Sequence, residues 1–360
     1  MAKWVTLFER FESFHLFKDV GQIPYHVKKL SDVDVEVWRK SFNSDENDYP
    51  FRIVNIESSR KGNAISFSIF KKIISNSKEI NYLNLFHLRR NSLFYAVVYK
   101  LFNKNGKVFI KCDFSNDSWT HKSYRIKKVL IKLLCRLDFI NVLLIEHWDI
   151  YCLFKNMGVD CIYSPNGVSE AFYLNNTEVK KTTTPNLIFV GKCGDVRKNA
   201  EELVCALLSI GDRIEWEVSF VGSETDEFRK WFDDKSKGYD SKIIQRFNFL
   251  GFLSDPKKMI DLYQRSHIFV MTSLKEGYPL SLSEACWCGC YPILSKGSGG
   301  RDLGKLGLAT IYDTKDDLKL NLFECMENLE ETIEKGRKVK THVEKFNDWR
   351  IILSRLGVLN

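Results

Sequence analysis

Short apolar runs suited to buried strands alternate along this chain with stretches whose apolar residues recur at helical spacing. In the first half, Trp4 to Phe8, Val33 to Val37, Phe51 to Ile56, Ile80 to Phe86 and Lys107 to Cys112 predict strands. Between them, IPYHVKKL, SFSIFKKIISN and SLFYAVVYKLFNKNG predict helices, and ESFHLFKDVGQ predicts a loop. The second half repeats the pattern. NLIFVG, WEVSFVG and FNFLGF read as strands, and AEELVCALLSIG, DEFRKWF and KKMIDLYQRS as helices. Such alternation marks a parallel, doubly wound sheet whose crossover helices cover it. The C-terminal KTHVEKFNDWRIILSRLGVL has helical spacing, with Trp349 and Ile352 on one side. No repeat of solenoid period interrupts the series.

The pattern is densest between Phe269 and Gly300. A buried strand ends at Thr272 and Ser273, and a Gly-Tyr-Pro turn follows. Leu280, Leu282, Ala285 and Cys286 then set a helix that Gly289 stops, and Tyr291 to Leu294 is the next strand. A parallel sheet holds its ligand outside the carboxyl ends of its strands. Here the turn aims the amides of Gly277, Tyr278 and Leu280 at the helix N-terminus, where N–H groups and the helix dipole favour a phosphate or an array of sugar hydroxyls. Two carboxylates, Glu276 and Glu284, bracket the turn with seven residues between them.

One segment of the first half, SYRIKKVLIKLLCRLDF, predicts a basic amphipathic helix. Ile126, Val129, Leu130, Leu133, Leu134 and Leu137 form its apolar stripe, and Arg125, Lys127, Lys128, Lys132 and Arg136 fill the rest. Two readings stand side by side: a core-facing helix with a solvated basic side, or a surface that rests on an anionic membrane leaflet.

Length and composition narrow the field. At 360 residues the chain is long enough for two domains with proper cores. It has no run near the ~18 apolar residues of a membrane span, and its charged N-terminus lacks the apolar core of a signal peptide. Ten cysteines without paired spacing fit a reducing compartment. Cys286, Cys288 and Cys290 alternate, but match no zinc spacing and read as small buried thiols. The net charge of +8 lies wholly in residues 1–172, and residues 51–136 alone hold 18 basic and 4 acidic side chains. That half is built to meet something anionic.

The Glu-x7-Glu arrangement inside EGYPLSLSEA, preceded by a Ser-terminated strand and followed by a Gly-Gly loop, resembles the donor site of the family-4 retaining glycosyltransferases. The resemblance implies the GT-B fold, an α/β architecture of two Rossmann-like, doubly wound domains facing across a cleft. It implies a first domain over 1–174, a nucleotide-sugar-binding domain over 184–341, and a C-terminal helix over 342–360 packing back onto the first. Pro165-Asn166-Gly167 resembles the turn that ends the family's first domain, and the polar run Asn175 to Pro185 reads as the linker.

Transfer from a nucleotide sugar must stabilise a leaving diphosphate and a developing oxocarbenium ion. Fixed cations and amides placed where these charges grow lower the barrier. By resemblance, Lys192 and Lys198 in GKCGDVRKN embrace the diphosphate. The family more often has arginine where Lys192 stands, and lysine binds phosphate without the bidentate fork. The resemblance puts Glu276 beside the donor sugar and diphosphate, Glu284 on the ribose hydroxyls, and the loop after FNFLGF along the base. Gly21 resembles the family's glycine loop, which usually has two glycines and allows close backbone approach to the donor. His87 and Asp113 each end a strand. Many family members carry histidine where Asp113 stands, and an aspartate there would orient or deprotonate the acceptor hydroxyl or contact the sugar. Both residues could equally be satisfied by local backbone, and His15 and His147 read as packing or surface histidines. Asp32-Val33-Asp34 is the D-x-D of the other major glycosyltransferase fold. Here it falls at a helix–strand connection where acidic residues are ordinary, so no metal and no other cofactor are expected.

The resemblance therefore implies a retaining hexosyltransferase-type glycosyltransferase using a nucleoside-diphosphate sugar. Its expected acceptor is a glycan, lipid-linked or of the lipopolysaccharide kind, met in the cytoplasm at the inner membrane face. A sugar-nucleotide epimerase of the same fold would share the donor site without needing a basic face. A nucleic-acid-binding protein would interleave aromatics with its basic residues. The aromatics here follow apolar periodicities, so nucleic acid is not an expected partner. A non-catalytic donor-binding protein would not need Glu276, Lys198 and Glu284 together.

Overall fold

A computed structural model describes residues 1–40, 48–57, 65–113, 124–175 and 181–358. The chain divides into two compact units, Met1–Gly167 with Asp348–Asn360, and Val168–Asn347.

The first unit is built on a seven-stranded sheet: β1 (Lys3–Leu7), β2 (Asp34–Lys40), β3 (Arg52–Ile56), β4 (Tyr82–Phe86), β5 (Lys107–Cys112), β6 (Val142–Ile145) and β7 (Cys161–Tyr163). Its order is β3-β2-β1-β4-β5-β6-β7, and every pair is parallel. Side chains alternate across a strand, so one sheet fills two cores. Val5, Leu83, Leu85, Val108 and Ile110 line one face, while Trp4, Phe109 and Leu144 line the other. The second face is covered by the helix Asp19–Leu30 and by the C-terminal helix Trp349–Ser354, whose Trp349, Ile352 and Leu353 are fully buried.

The second unit holds six parallel strands, β8 (Asn186–Val190), β9 (Glu217–Val221), β10 (Phe247–Phe249), β11 (Ile268–Met271), β12 (Tyr291–Ser295) and β13 (Thr310–Tyr312), in the order β10-β9-β8-β11-β12-β13. Both sheets reverse direction of growth beside their first strand, between β1 and β4 and between β8 and β11. Such a switch point opens a crevice at the carboxyl ends of those strands.

Several expectations need correction. The stretch 12–22 is not one loop: a 3₁₀ helix spans Ser13–Phe17, and the helix that follows starts at Asp19 and contains Pro24. β6, the helix Trp148–Asn156 and β7 are short apolar elements that the periodicity does not separate. The units part after Gly167 and Asn347, so the helices Glu170–Leu174 and Leu329–Phe346 both lie in the second. Residues 176–180 of the expected linker lie outside the described residues. The D-x-D does stand at the expected helix–strand connection: Asp34 opens β2, with Lys3 Nζ at 3.9 Å, at the amino edge of the sheet.

The largest correction concerns the basic helix, Arg125–Arg136. Only Ile131 and Leu134 are buried in it. Ile126, Val129, Leu130, Leu133 and Leu137, expected to share one face with Leu134, point outward. Among the described residues, no helix is long and apolar enough to cross a membrane.

Candidate active site

In the second unit the site grows from the carboxyl ends of β8 and β11. β8 leads through Gly191 and Lys192 into a loop that closes at Asn199, in the left-handed conformation, ahead of the helix Ala200–Ile210. Neighbouring backbone straps that loop to the end of β11. Thr272 Oγ1 donates to the carbonyls of Lys198 and Asn199 at 2.9 and 2.7 Å, and the Leu274 amide donates to Arg197 O at 2.8 Å. The straps bring two side chains from distant parts of the sequence into contact: Lys198 Nζ lies 2.6 Å from Glu276 Oε1, both partly buried. Lys192 is exposed on the same loop. Arg197, which the sequence reading passed over, is exposed and paired with Asp195 at 2.9 Å.

A second backbone contact shapes the Glu276 loop. The Glu276 amide donates to Gly297 O at 3.0 Å. A Cβ on Gly297 would overlap the Leu274 carbonyl, and one on Gly299 the Gly277 carbonyl. Two loops thus pack main chain to main chain, which only glycine permits. The run KGSGG carries this signal, though in the sequence it could be read only as a turn.

The helix Leu280–Trp287 starts at the end of this loop, so Leu280 supplies a first-turn amide, as the spacing suggested. Tyr278 contributes backbone only. Its ring is in the core, and its hydroxyl accepts a hydrogen bond from Asn347 Nδ2 at 3.1 Å. Asn347 also donates to Ser283 Oγ at 3.0 Å, and sequence reasoning missed this anchor. Glu284, one turn into the helix, receives a hydrogen bond from the Tyr263 hydroxyl at 3.1 Å. Burial pushes its carboxyl up to about 7, with the Tyr263 bond pulling the other way. Cys286, Cys288 and Cys290 pack behind it as free thiols, raised by burial, Cys290 to about 11.

β10 ends in a loop where Leu250 and Phe252 are exposed, Phe252 to 78 %. An aromatic ring left in water at the carboxyl end of a sheet is suited to stacking.

The first unit gathers its polar groups at the carboxyl ends of β1, β4 and β5. His87 follows β4 in the left-handed region at φ 61°, and its Nδ1 is hydrogen-bonded to Asp113 Oδ1. The two residues are thus brought together. A carboxylate on Nδ1 favours the tautomer with hydrogen there, which leaves Nε2 as an acceptor. Asp19 lies in the field of both, and its carboxyl is raised by burial and lowered by Lys111 and His87. Gly21 has a packing reason to be small, because a Cβ would overlap His15 O and crowd Leu16 Cα at 2.5 Å.

At this switch point lies a cavity of about 340 Å³, lined by Phe8, Glu9, Arg10, His15, His87 and Arg89 among others. Glu9 is engaged by Lys40 and by Asn91 Nδ2 at 3.0 Å. His15 Nδ1 accepts the Glu12 amide at 3.0 Å, and burial with nearby Lys18 pushes its pKa down to about 4. The ring is therefore neutral near pH 7 and keeps Nε2 as a donor. In the sequence His15 reads as a packing or surface histidine, and Arg10 carries no signal of its own. The observable clue was that both follow the first strand of a doubly wound sheet. His147 is buried at the start of the helix Trp148–Asn156.

Known proteins share this architecture. Residues 174–336 match the family model described as "Glycosyl transferases group 1". No curated protein sequence matches the chain significantly. Among solved structures, a glycosyltransferase from Rickettsia africae has a TM-score of 0.71 at 12% identity, with 99% of this chain and 97% of that one covered. Anabaena HepE in complex with UDP gives 0.69 at 13% identity, covering 99% and 98%. The lipopolysaccharide outer core galactosyltransferase WaaB gives 0.65 at 17% identity, covering 100% and 99%. At such identities these likenesses speak for the fold.

Proposed function

We propose, from a second unit whose residues 174–336 match the group 1 glycosyltransferase model within a GT-B fold, that this chain moves a sugar from a nucleoside-diphosphate donor to a glycan acceptor. The observation that carries the reading is the Lys198–Glu276 contact at 2.6 Å, at the switch point of the second sheet. Without donor the two charges neutralise each other. An incoming diphosphate competes for Lys198, and the released Glu276 carboxylate can then accept hydroxyls of the donor sugar. Lys198, Lys192 and the amides of Gly277, Tyr278 and Leu280 stabilise the charge that grows on the leaving diphosphate. The reading assigns that role to lysines and amides rather than to a bound metal. Glu284 holds the ribose, and exposed Phe252 is the candidate for stacking on the base. That HepE was solved with UDP supports a uridine nucleotide as the first donor to try.

Retention of anomeric configuration is part of the proposal, on the strength of the EGYPLSLSEA resemblance. On the acceptor side, His87 Nε2, oriented through Nδ1 by Asp113, is the group suited to take the hydroxyl proton. The proposed acceptor is lipid-linked or of the lipopolysaccharide kind, which the likeness to WaaB supports.

Glu276→Gln tests the reading. Donor turnover, followed as nucleoside diphosphate release in buffer containing EDTA, should fall ~100-fold or more, with nucleoside diphosphate affinity kept. Turnover within a few-fold of the native enzyme would remove Glu276 from the mechanism.

A further inference from the structure

The helix Arg125–Arg136 presents a surface that the donor chemistry does not use. Its exposed apolar residues form one row at i, i+3, i+7 and i+11: Ile126, Val129, Leu133 and Leu137, at 83, 64, 49 and 57 % exposure. Leu130 adds to it at 44 %. Each apolar side chain left in water forgoes the free energy of burial. A contiguous row of five on one helix exceeds the scattered apolar exposure normal for a monomer. The helix does have a core side, Ile131 and Leu134, so the outward row is not a failure of packing.

Beside this row runs another of a different kind. Arg125, Lys128, Lys132 and Arg136, at i, i+3, i+7 and i+11, stand one residue ahead of the apolar row, and the helix has no acidic residue. Lys132 and Arg136 continue into a groove of about 570 Å³ that is also lined by Lys155, Met157 and Asp160. Three cations against one carboxylate make the groove electropositive, and it opens next to apolar side chains. Lys127 stands apart from this row: it is half-buried, with its ammonium 5.8 Å from the Tyr124 ring centre.

We infer that this helix lies in the surface of an anionic phospholipid membrane, with the row Ile126–Val129–Leu133–Leu137 entering the acyl boundary and the Lys132–Arg136–Lys155 groove receiving lipid phosphate. An interfacial helix needs an apolar face and a cationic flank placed so that both meet the bilayer at once, and adjacent rows provide that. A second copy of this chain is the less fitting occupant, because two such helices would bring eight like charges together. The inference deepens the lipid-linked acceptor reading, but it stands on this helix alone and does not depend on the donor site.

The test is flotation of the full chain with vesicles of phosphatidylcholine alone and of phosphatidylcholine with phosphatidylglycerol. The native protein should float with the anionic vesicles at 0.1 M salt and release at 1 M, as the Debye length contracts from ~10 Å to ~3 Å. Lys132→Glu with Arg136→Glu should weaken that binding by more than ~100-fold, since each charge near such a surface matters several-fold. Ile126→Gln, Val129→Gln and Leu133→Gln together should also abolish flotation. All three sites are exposed, so both variants should keep the native melting temperature and the native rate of donor hydrolysis in solution. Loss of hydrolysis in the native protein would count against the donor reading, whereas intact hydrolysis without flotation would overturn only this one. Flotation unchanged in the glutamine variant would overturn it too, as would a native dimer that the same variant converts to monomer.

Discussion

At the residue scale the most informative group is Glu284. Its carboxyl titrates near 7 because burial disfavours the charged form, while its ordinary value is 4.5. In the ligand-free protein its contribution to stability is therefore fully present below about 4.5 and lost as pH rises through about 7. In the role proposed for Glu284, ribose hydroxyls would donate to the ionised form, so the sign would reverse on binding. Nucleoside diphosphate affinity should rise about tenfold from about pH 6 to about pH 8, because the ionised fraction of a carboxyl titrating near 7 grows by that factor across the interval. Glu284→Gln should bind more weakly and lose that part of the slope, which titration calorimetry at the two pH values would measure. An identical slope in both proteins would exclude Glu284 as the titrating group. The position of Glu284 was legible in the sequence, because the helix after the Gly-Tyr-Pro turn carries it. The Tyr263 bond was not, since a contact between neighbouring helices leaves no periodic trace.

At the element scale, loops rather than helices give the proposed donor site its shape. Gly297 and Gly299 let one loop lie directly on the Glu276 loop. Gly299→Ala should push the two apart, costing ~1–3 kcal/mol by overpacking, and should weaken nucleoside diphosphate binding far more than it lowers the melting temperature. A variant with native affinity would show that the loop contact is not what forms the site. Strand and helix types were readable here because continuous apolar runs and 3.6-residue spacing differ plainly. Orientation was readable only where one face alone is apolar. The helix Arg125–Arg136 has apolar residues on two faces, the core side at Ile131 and Leu134 and the outward row, so spacing alone could not say which faces in. β6 and β7 escaped because runs of four and three residues are too short for any period to show.

At the scale of the whole molecule, the chain returns at its end to the unit in which it began. Trp349, fully buried beside Trp4 and Phe109, closes the first unit's core. Trp349→Ala should cost that unit ~3–5 kcal/mol, seen as an earlier unfolding transition, while nucleoside diphosphate binding by the second unit persists below it. Loss of both together would mean that the units do not unfold separately. The doubly wound order of both sheets followed from the strand–helix alternation. The boundaries after Gly167 and Asn347 did not, because helices that change units look like any others in sequence.

The central claim is that the second unit binds a nucleoside diphosphate through Lys198 at the ends of β8 and β11. Thermal denaturation with a panel of nucleoside diphosphates tests it most directly, since a ligand that binds only the folded state raises the transition by mass action. At least one member of the panel, UDP first, should stabilise the native protein, and Lys198→Ala should lose most of that gain while keeping its own ligand-free transition. A panel in which nothing stabilises the native chain, or a Lys198→Ala variant stabilised as much as the native one, would contradict the account.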